Sequence, residues 1–156
     1  MKRNTRLYNI LFPSWMFFLL PTPVMLLLAA GNFGIDSLVT LLGLRHLGVE
    51  ERTPIYKRSI IKIWLFGFLS DFAGAGLIFL LMLAVDKWLP GVVTFYFPGT
   101  SLLALPGVLA AGVLIYLLNR RFSFRGTGLT DDQVRRMARY LTIFTTPSLM
   151  MLPLYG

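Results

Sequence analysis

The sequence predicts an all-α fold, a polytopic helical membrane protein with about five transmembrane or membrane-inserted helices. Three observations support this class. The chain of 156 residues is 56% hydrophobic and only 14% charged, with mean hydropathy +0.69, whereas about a quarter of the residues in a soluble domain are charged. Residues 7–44 contain no Lys or Arg. The basic residues elsewhere cluster at the ends of apolar runs, and a chain of this length forms a single membrane domain, 1–156.

The first apolar stretch, 7–44, is too long for one span of about 20 residues and slightly short for two. A single crossing would put the basic N-terminus and the next basic loop on opposite sides of the membrane. We therefore expect an N-terminal helical hairpin with helices over 9–29 and 33–46 and a break at 31–34. Its prolines and glycines are compatible with two full spans and with a shorter, partly inserted pair.

Three further helices complete the predicted bundle. The third is expected over 59–85 and the fourth over 101–119. The last, 131–154, begins at a capping box, Thr130–Gln133, and its apolar part of about 17 residues allows full or partial insertion. This topology places 14 of the 15 Lys and Arg on the inner side. It predicts a cytoplasmic N-terminus, a C-terminus outside, and the bacterial cytoplasmic membrane as the location.

Two aspartates lie inside segments that otherwise resemble lipid-embedded helix. Asp36 lies nine residues before Arg45, and Asp71 lies nine residues after Lys62. Both carboxyl groups are therefore expected roughly 13 Å from the same charged boundary, near the middle of the hydrocarbon core. An ionisable group at that depth is a functional-site hypothesis. If the two face each other without a cation, one holds a proton or a cation lies between them.

Helical periodicity places small and polar residues beside both aspartates. Asn32 and Thr40 share a face with Asp36, while glycines and Ser70 accompany Asp71 on the next helix. We expect these faces to pack together and the five polar residues to bind a proton, a cation or a polar substrate. The alternative is a structural role, in which protonated acids hydrogen-bond their neighbours and fix helix packing.

A second candidate site lies where the fourth helix leaves the membrane. Residues 119–125 alternate cations with aromatic side chains. Arginine suits phosphate, and aromatic rings suit the headgroup level. The residues expected to contact a lipid phosphate are Asn119, Arg120, Arg121, Arg125, Arg135 and Arg136. The alternative is an ordinary basic anchor on the inner side of the membrane.

Residues 117–125 and the Arg-rich helix that follows resemble the GtrA family, small polytopic membrane proteins that end one helix in an Asn-Arg-x-Trp-x-Phe signature. The resemblance covers 59–145 at most, with Phe122 in place of the usual Trp, no second copy of the signature and an additional N-terminal hairpin. It implies handling of polyprenyl-phosphate-linked sugars across the membrane. The residues at the matching positions are Asn119, Arg120, Arg121 and Phe124.

These features favour a small transporter or lipid-linked-substrate translocase, assembled as a homo-oligomer because five short helices enclose little volume. The alternative is a non-catalytic interaction or scaffold subunit that docks on a partner membrane protein. In either case membrane lipids surround the chain, and the basic residues at helix ends do not indicate binding of nucleic acid.

Composition argues against other classes. The absence of Cys and the presence of a single His exclude thiolate and histidine-cluster metal sites, so we expect no metal and no cofactor. We expect no enzymatic activity, because no nucleophile–base constellation is found. The Gly-x-Gly-Asp signature of intramembrane aspartyl proteases is also missing at Asp71.

Overall fold

The computed structural model describes residues 23–89 and 99–147, which are all-helical and contain no strand. This confirms the all-α class, although the described part has four α-helices, fewer than the predicted five. The helices are α1 (Pro23–His46), α2 (Arg52–Trp88), α3 (Gly99–Leu118) and α4 (Asp131–Thr145), and a π-helical turn (Asn119–Ser123) extends α3.

The first described helix corrects the predicted hairpin. α1 runs without interruption through 31–34, where a break between helices 9–29 and 33–46 was expected. The part of the first predicted helix before residue 23 lies outside the described residues.

Contacts with α2 explain why α1 stays helical across its glycines, each of which costs about 1 kcal/mol relative to Ala. The Trp64 indole N–H donates to the Ala29 carbonyl at 3.0 Å, and its ring packs edge-on against Phe33 with centroids 6.3 Å apart. These contacts lie on either side of Gly31. Tertiary packing therefore overrides local propensity at this point.

The ends of the other three helices agree with the predicted ends to different degrees. α2 has 37 residues and extends beyond the predicted 59–85 at both ends, whereas α3 begins within two residues of the predicted start. α4 begins at the predicted capping box, which is present at Thr130 and Gln133. It ends at Thr145, because the residue before Pro147 is disfavoured in the α conformation. The part of the last predicted helix over 148–154 lies outside the described residues.

The helices form a ring in which α1 packs on α2, α2 on α3, α3 on α4, and α4 on α1. Neighbouring helices run antiparallel: Trp64 contacts Ala29, whereas the earlier Tyr56 donates to the later Ser37 at 3.0 Å. At one end of the bundle therefore lie the end of α1, the start of α2, the end of α3 and the start of α4. Every described Lys and Arg except Lys87 lies toward this basic end.

Among the described residues, two helices are long and apolar enough to cross a membrane: α2 and the segment Ser101–Ser123. In their most apolar windows only 22% and 33% of the residues are buried within the protein, whereas a helix in the core of a soluble protein is mostly buried. The exposed leucines and valine of these two helices include Leu65, Leu69, Leu102, Leu109 and Val113. Length, composition and exposure together support a membrane protein.

The larger apolar core lies at the basic end. It draws on all four helices and on the turn after α3, and its buried members are Leu44, Ile55, Ile63, Ile115, Phe124, Met137 and Leu141. The second buried cluster, between α2 and α3 toward the other end, comprises Ile78, Met82 and Ala104.

The α2 and α3 backbones touch at Gly74 and Gly107. A Cβ on Gly74 would lie 2.7 Å from the Gly107 carbonyl oxygen and 3.0 Å from the Ala111 Cβ, and a Cβ on Gly107 would overlap Ile78. Small residues allow this approach, as is typical of packed membrane helices.

We therefore expect Gly74→Ala to lower the free energy of unfolding by about 1–3 kcal/mol, because the added methyl group forces the backbones apart. The measurement is reversible unfolding in detergent micelles, followed by circular dichroism. Gly76→Ala is the matched control on the same helix, since a Cβ there meets no atom within 4 Å. This control should be neutral or stabilising by up to about 1 kcal/mol. Equal destabilisation of both variants would contradict the assigned contact.

Candidate functional site

Asp36 lies on the side of α1 that packs against α2. Its side chain is only 4% exposed, and its Oδ2 atom is 3.6 Å from the position that a Cβ on Gly67 would occupy. The missing side chain at Gly67 therefore leaves space for the carboxyl group between the helices.

Asp71 follows Gly67 by one helical turn on the same face of α2. Asp71 is therefore one turn away from the point where the Asp36 carboxyl group meets α2, and its buried Oδ1 atom has no hydrogen-bond partner among the described residues. In the described part of the chain, the ion pairs join arginines and aspartates within α4 and do not involve Asp36 or Asp71. The structure thus places the two predicted aspartates within one helical turn of the same point on α2, and no cationic side chain of the described residues pairs with either.

The other three predicted polar residues differ in burial and in the hydrogen bonds of their side chains. Thr40 is fully buried one turn after Asp36, and its Oγ1 atom has no hydrogen-bond partner within 23–89 and 99–147. Ser70 is also fully buried, but its hydroxyl donates to the Phe66 carbonyl at 2.7 Å within α2. Asn32 is half-buried one turn before Asp36. Thr40 is therefore the best placed of the three to add an oxygen ligand.

The faces of α1 and α2 that carry the glycines and the two aspartates are in contact over only part of their length. A Cβ on Gly43, further along the face of Asp36, would lie 2.8 Å from the Met137 sulfur of α4. Gly74, beyond Asp71, faces α3 as described above. The contact between the two faces is therefore local, and the site is confined to the region around Gly67.

Two carboxyl groups and a hydroxyl group present oxygen atoms, which are the ligands that protons and hard cations prefer. Two such carboxyl groups titrate as a coupled pair. The described residues contain no group of three or more His, Cys, Asp or Glu that could hold a metal ion. A cation bound here would complete its coordination with hydroxyl, carbonyl or water oxygens.

The predicted phosphate-binding stretch contains the π-helical turn. Asn119 is 1% exposed; its Nδ2 donates to the Ile115 carbonyl at 2.8 Å, and its Oδ1 accepts from the Ser123 hydroxyl at 2.7 Å. These bonds hold Asn119 in the interior, and its predicted contact with a lipid phosphate stays a prediction. Phe124, another residue of the signature, is buried in the larger core.

The five predicted arginines are exposed but differ in ion pairing. On α4, Arg135 pairs with Asp131 at 2.7 Å and Arg136 with Asp132 at 2.8 Å. The other three, Arg120, Arg121 and Arg125, form no ion pair with any residue that the structure describes. The Arg121 guanidinium lies 5.9 Å from the centre of the adjacent Phe122 ring.

No family model matches this chain. Comparison with curated proteins and with solved structures also finds no match. The resemblance to the GtrA family stays a prediction, and the candidate site rests on the geometry above.

In the absence of added cation, we expect Thr40→Val to raise the free energy of unfolding by about 1 kcal/mol, because a buried hydroxyl without a partner costs about 1–3 kcal/mol. Reversible unfolding in detergent measures the change. The control is Ser70→Ala, which removes a hydrogen-bonded hydroxyl and should be destabilising by about 0.5–1.5 kcal/mol. If Thr40→Val were less stable than Ser70→Ala, this would contradict the assignment of the Thr40 hydroxyl as lacking a hydrogen-bond partner.

We expect Asn119→Leu to be destabilising by about 1–3 kcal/mol, because it leaves the buried Ser123 hydroxyl without its acceptor. Adding Ser123→Ala should recover much of this loss, since both polar partners are then replaced by apolar groups. A double-mutant cycle on unfolding free energies measures the coupling. Strictly additive effects would show that the two side chains do not interact.

Proposed function

We propose that the protein is a small integral membrane transporter or translocase whose Asp36–Asp71 carboxyl pair binds a proton, a cation or the polar part of a substrate. One observation carries the proposal: Asp36 is buried over Gly67, and Asp71 lies one turn further along α2 without a cationic partner in the described part of the chain. Ionisable residues inside membrane bundles mark ion pathways and proton relays.

The hydrogen bonding around the pair favours ligand binding over a purely structural role. An acid retained only for packing should have its polar atoms satisfied, as buried polar groups normally are. Instead, neither Asp71 Oδ1 nor Thr40 Oγ1 has a hydrogen-bond partner among the residues that the structure describes. A bound cation, or a proton with associated water, would supply the missing interactions.

The basic end of the bundle faces the cytoplasm in this proposal, in accordance with the positive-inside rule. The bacterial cytoplasmic membrane is the proposed location, with the N-terminus inside and the C-terminus outside. The broad apolar surfaces of α2 and α3 are covered by lipid and by further copies of the chain. A homo-oligomer would enclose the polar path that four or five helices alone cannot.

The test compares wild type with Asp36→Asn and Asp71→Asn in lipid nanodiscs. The melting temperature is measured from pH 5 to 9 with sodium, potassium, magnesium or choline chloride at constant ionic strength. A cation at about 100 times its Kd should stabilise wild type by about 2.7 kcal/mol. The effect should grow toward alkaline pH, because cations compete with protons for the same oxygens. Each Asn variant should lose this response.

Glu51→Gln is the control, because it removes an exposed carboxylate at the start of α2 whose side chain forms no capping hydrogen bond. It should respond as wild type does. The opposite result has two parts: both Asn variants melt at lower temperature under every condition, and the melting temperature of wild type does not depend on cation or pH. It would show that the aspartates serve only in packing and would favour the scaffold alternative. A positive result is followed by dye-based flux assays in proteoliposomes, where Asp71→Asn should abolish transport.

A further inference from the structure

One face of α2 lines the π-helical turn at the basic end of the bundle. The Arg58 Nη1 atom donates to the Gly126 carbonyl at 3.4 Å, across 68 positions of sequence. One and two turns further along the same face lie Lys62 and Phe66. The Phe66 ring packs against Phe122 with centroids 5.8 Å apart. The start of α2 and the end of α3 therefore form a continuous surface.

This surface carries four exposed cations that we call the basic cluster: Arg58, Lys62, Arg121 and Arg125. None of them forms an ion pair within the part of the chain that the structure describes. Arg135 and Arg136 on α4, in contrast, are each neutralised by an aspartate one turn away. Like charges held on one surface repel each other unless an anion lies among them.

The position of the cluster indicates the source of that anion. It lies at the ends of both helices that are long and apolar enough to span a membrane. Phe122 is 40% exposed beside it, as is typical of aromatic side chains at the headgroup level. Guanidinium groups match the geometry of phosphate oxygens, and basic residues at this depth attract anionic lipids.

We infer that Arg58, Lys62, Arg121 and Arg125 bind the phosphate of an anionic phospholipid headgroup. Arg58 and Lys62 come from α2 and were not among the residues predicted from the sequence, whereas Arg121 and Arg125 were. This site is separate from the Asp36–Asp71 pair and goes beyond the proposed transport function.

The test compares two double variants of the detergent-purified protein that remove equal charge. Arg121→Gln/Arg125→Gln alters the basic cluster, and Arg135→Gln/Arg136→Gln alters the paired arginines. Binding of phosphatidylglycerol is titrated by native mass spectrometry and by the shift in melting temperature, with phosphatidylcholine and inorganic phosphate as comparison probes. The first variant should bind phosphatidylglycerol roughly 10- to 30-fold more weakly, and the second should bind as wild type does.

Equal weakening of both double variants, or weakening of neither, would overturn the assignment. So would protection of wild type by inorganic phosphate or phosphatidylcholine equal to that by phosphatidylglycerol at the same concentration. All substituted side chains are exposed, so melting without lipid should change only slightly, because an exposed ion pair contributes little to stability. If the first variant does not fold, Arg58→Gln/Lys62→Gln takes its place with the same expected loss. Asp36→Asn should retain phosphatidylglycerol binding, which keeps this test independent of the transport proposal.

Discussion

The contact between the α2 and α3 backbones at Gly74 and Gly107 is the constraint on which the remaining geometry depends. Neither position can carry a side chain without separating the two helices. Because the helices are antiparallel and touch at this crossing, the start of α2 is held beside the end of α3. The ring contact between Phe66 and Phe122 and the bond from Arg58 to the turn after α3 both follow from that arrangement.

Glycine has a different use at each of the other helix contacts. At Gly67 the missing side chain makes room for the Asp36 carboxyl group, and at Gly43 it makes room for Met137 of α4. A polar group is admitted between helices in the first case and an apolar one in the second. A missing side chain therefore makes space both in the packed core and at the candidate ion site. Whether an apolar or a polar side chain fills that space determines which of the two is formed.

The predictions that succeeded rest on short-range signals. The apolar runs predicted the all-α class, and the Thr130–Gln133 spacing predicted a capping box that the structure contains. The failures involve contacts between residues far apart in sequence. Glycines predicted a break in α1, but the contacts of Trp64 with that helix keep it continuous. Asn119 was predicted to contact a lipid phosphate from its basic neighbours, whereas it continues the buried face of Ala111 and Ile115 and bonds to the Ile115 carbonyl. The approach of Asp36 to Gly67 agrees with the expected facing of the two helices, but nothing in the sequence predicted that it would be so local.

The π-helical turn has a consequence for how this chain could vary. A π turn contains one more residue than an α-helical turn, and here three consecutive exposed residues separate the buried Asn119 from the buried Ser123. Deleting one residue from this stretch would allow α3 to continue as ordinary α-helix with its apolar face intact. The arginines and the loop after them would then rotate by about 100° relative to α2. Deletion of a single residue could thus preserve the helical bundle while moving the arginines away from Arg58 and Lys62. The number of residues at 119–123 would then distinguish sequences that have the basic cluster from sequences that share only the fold.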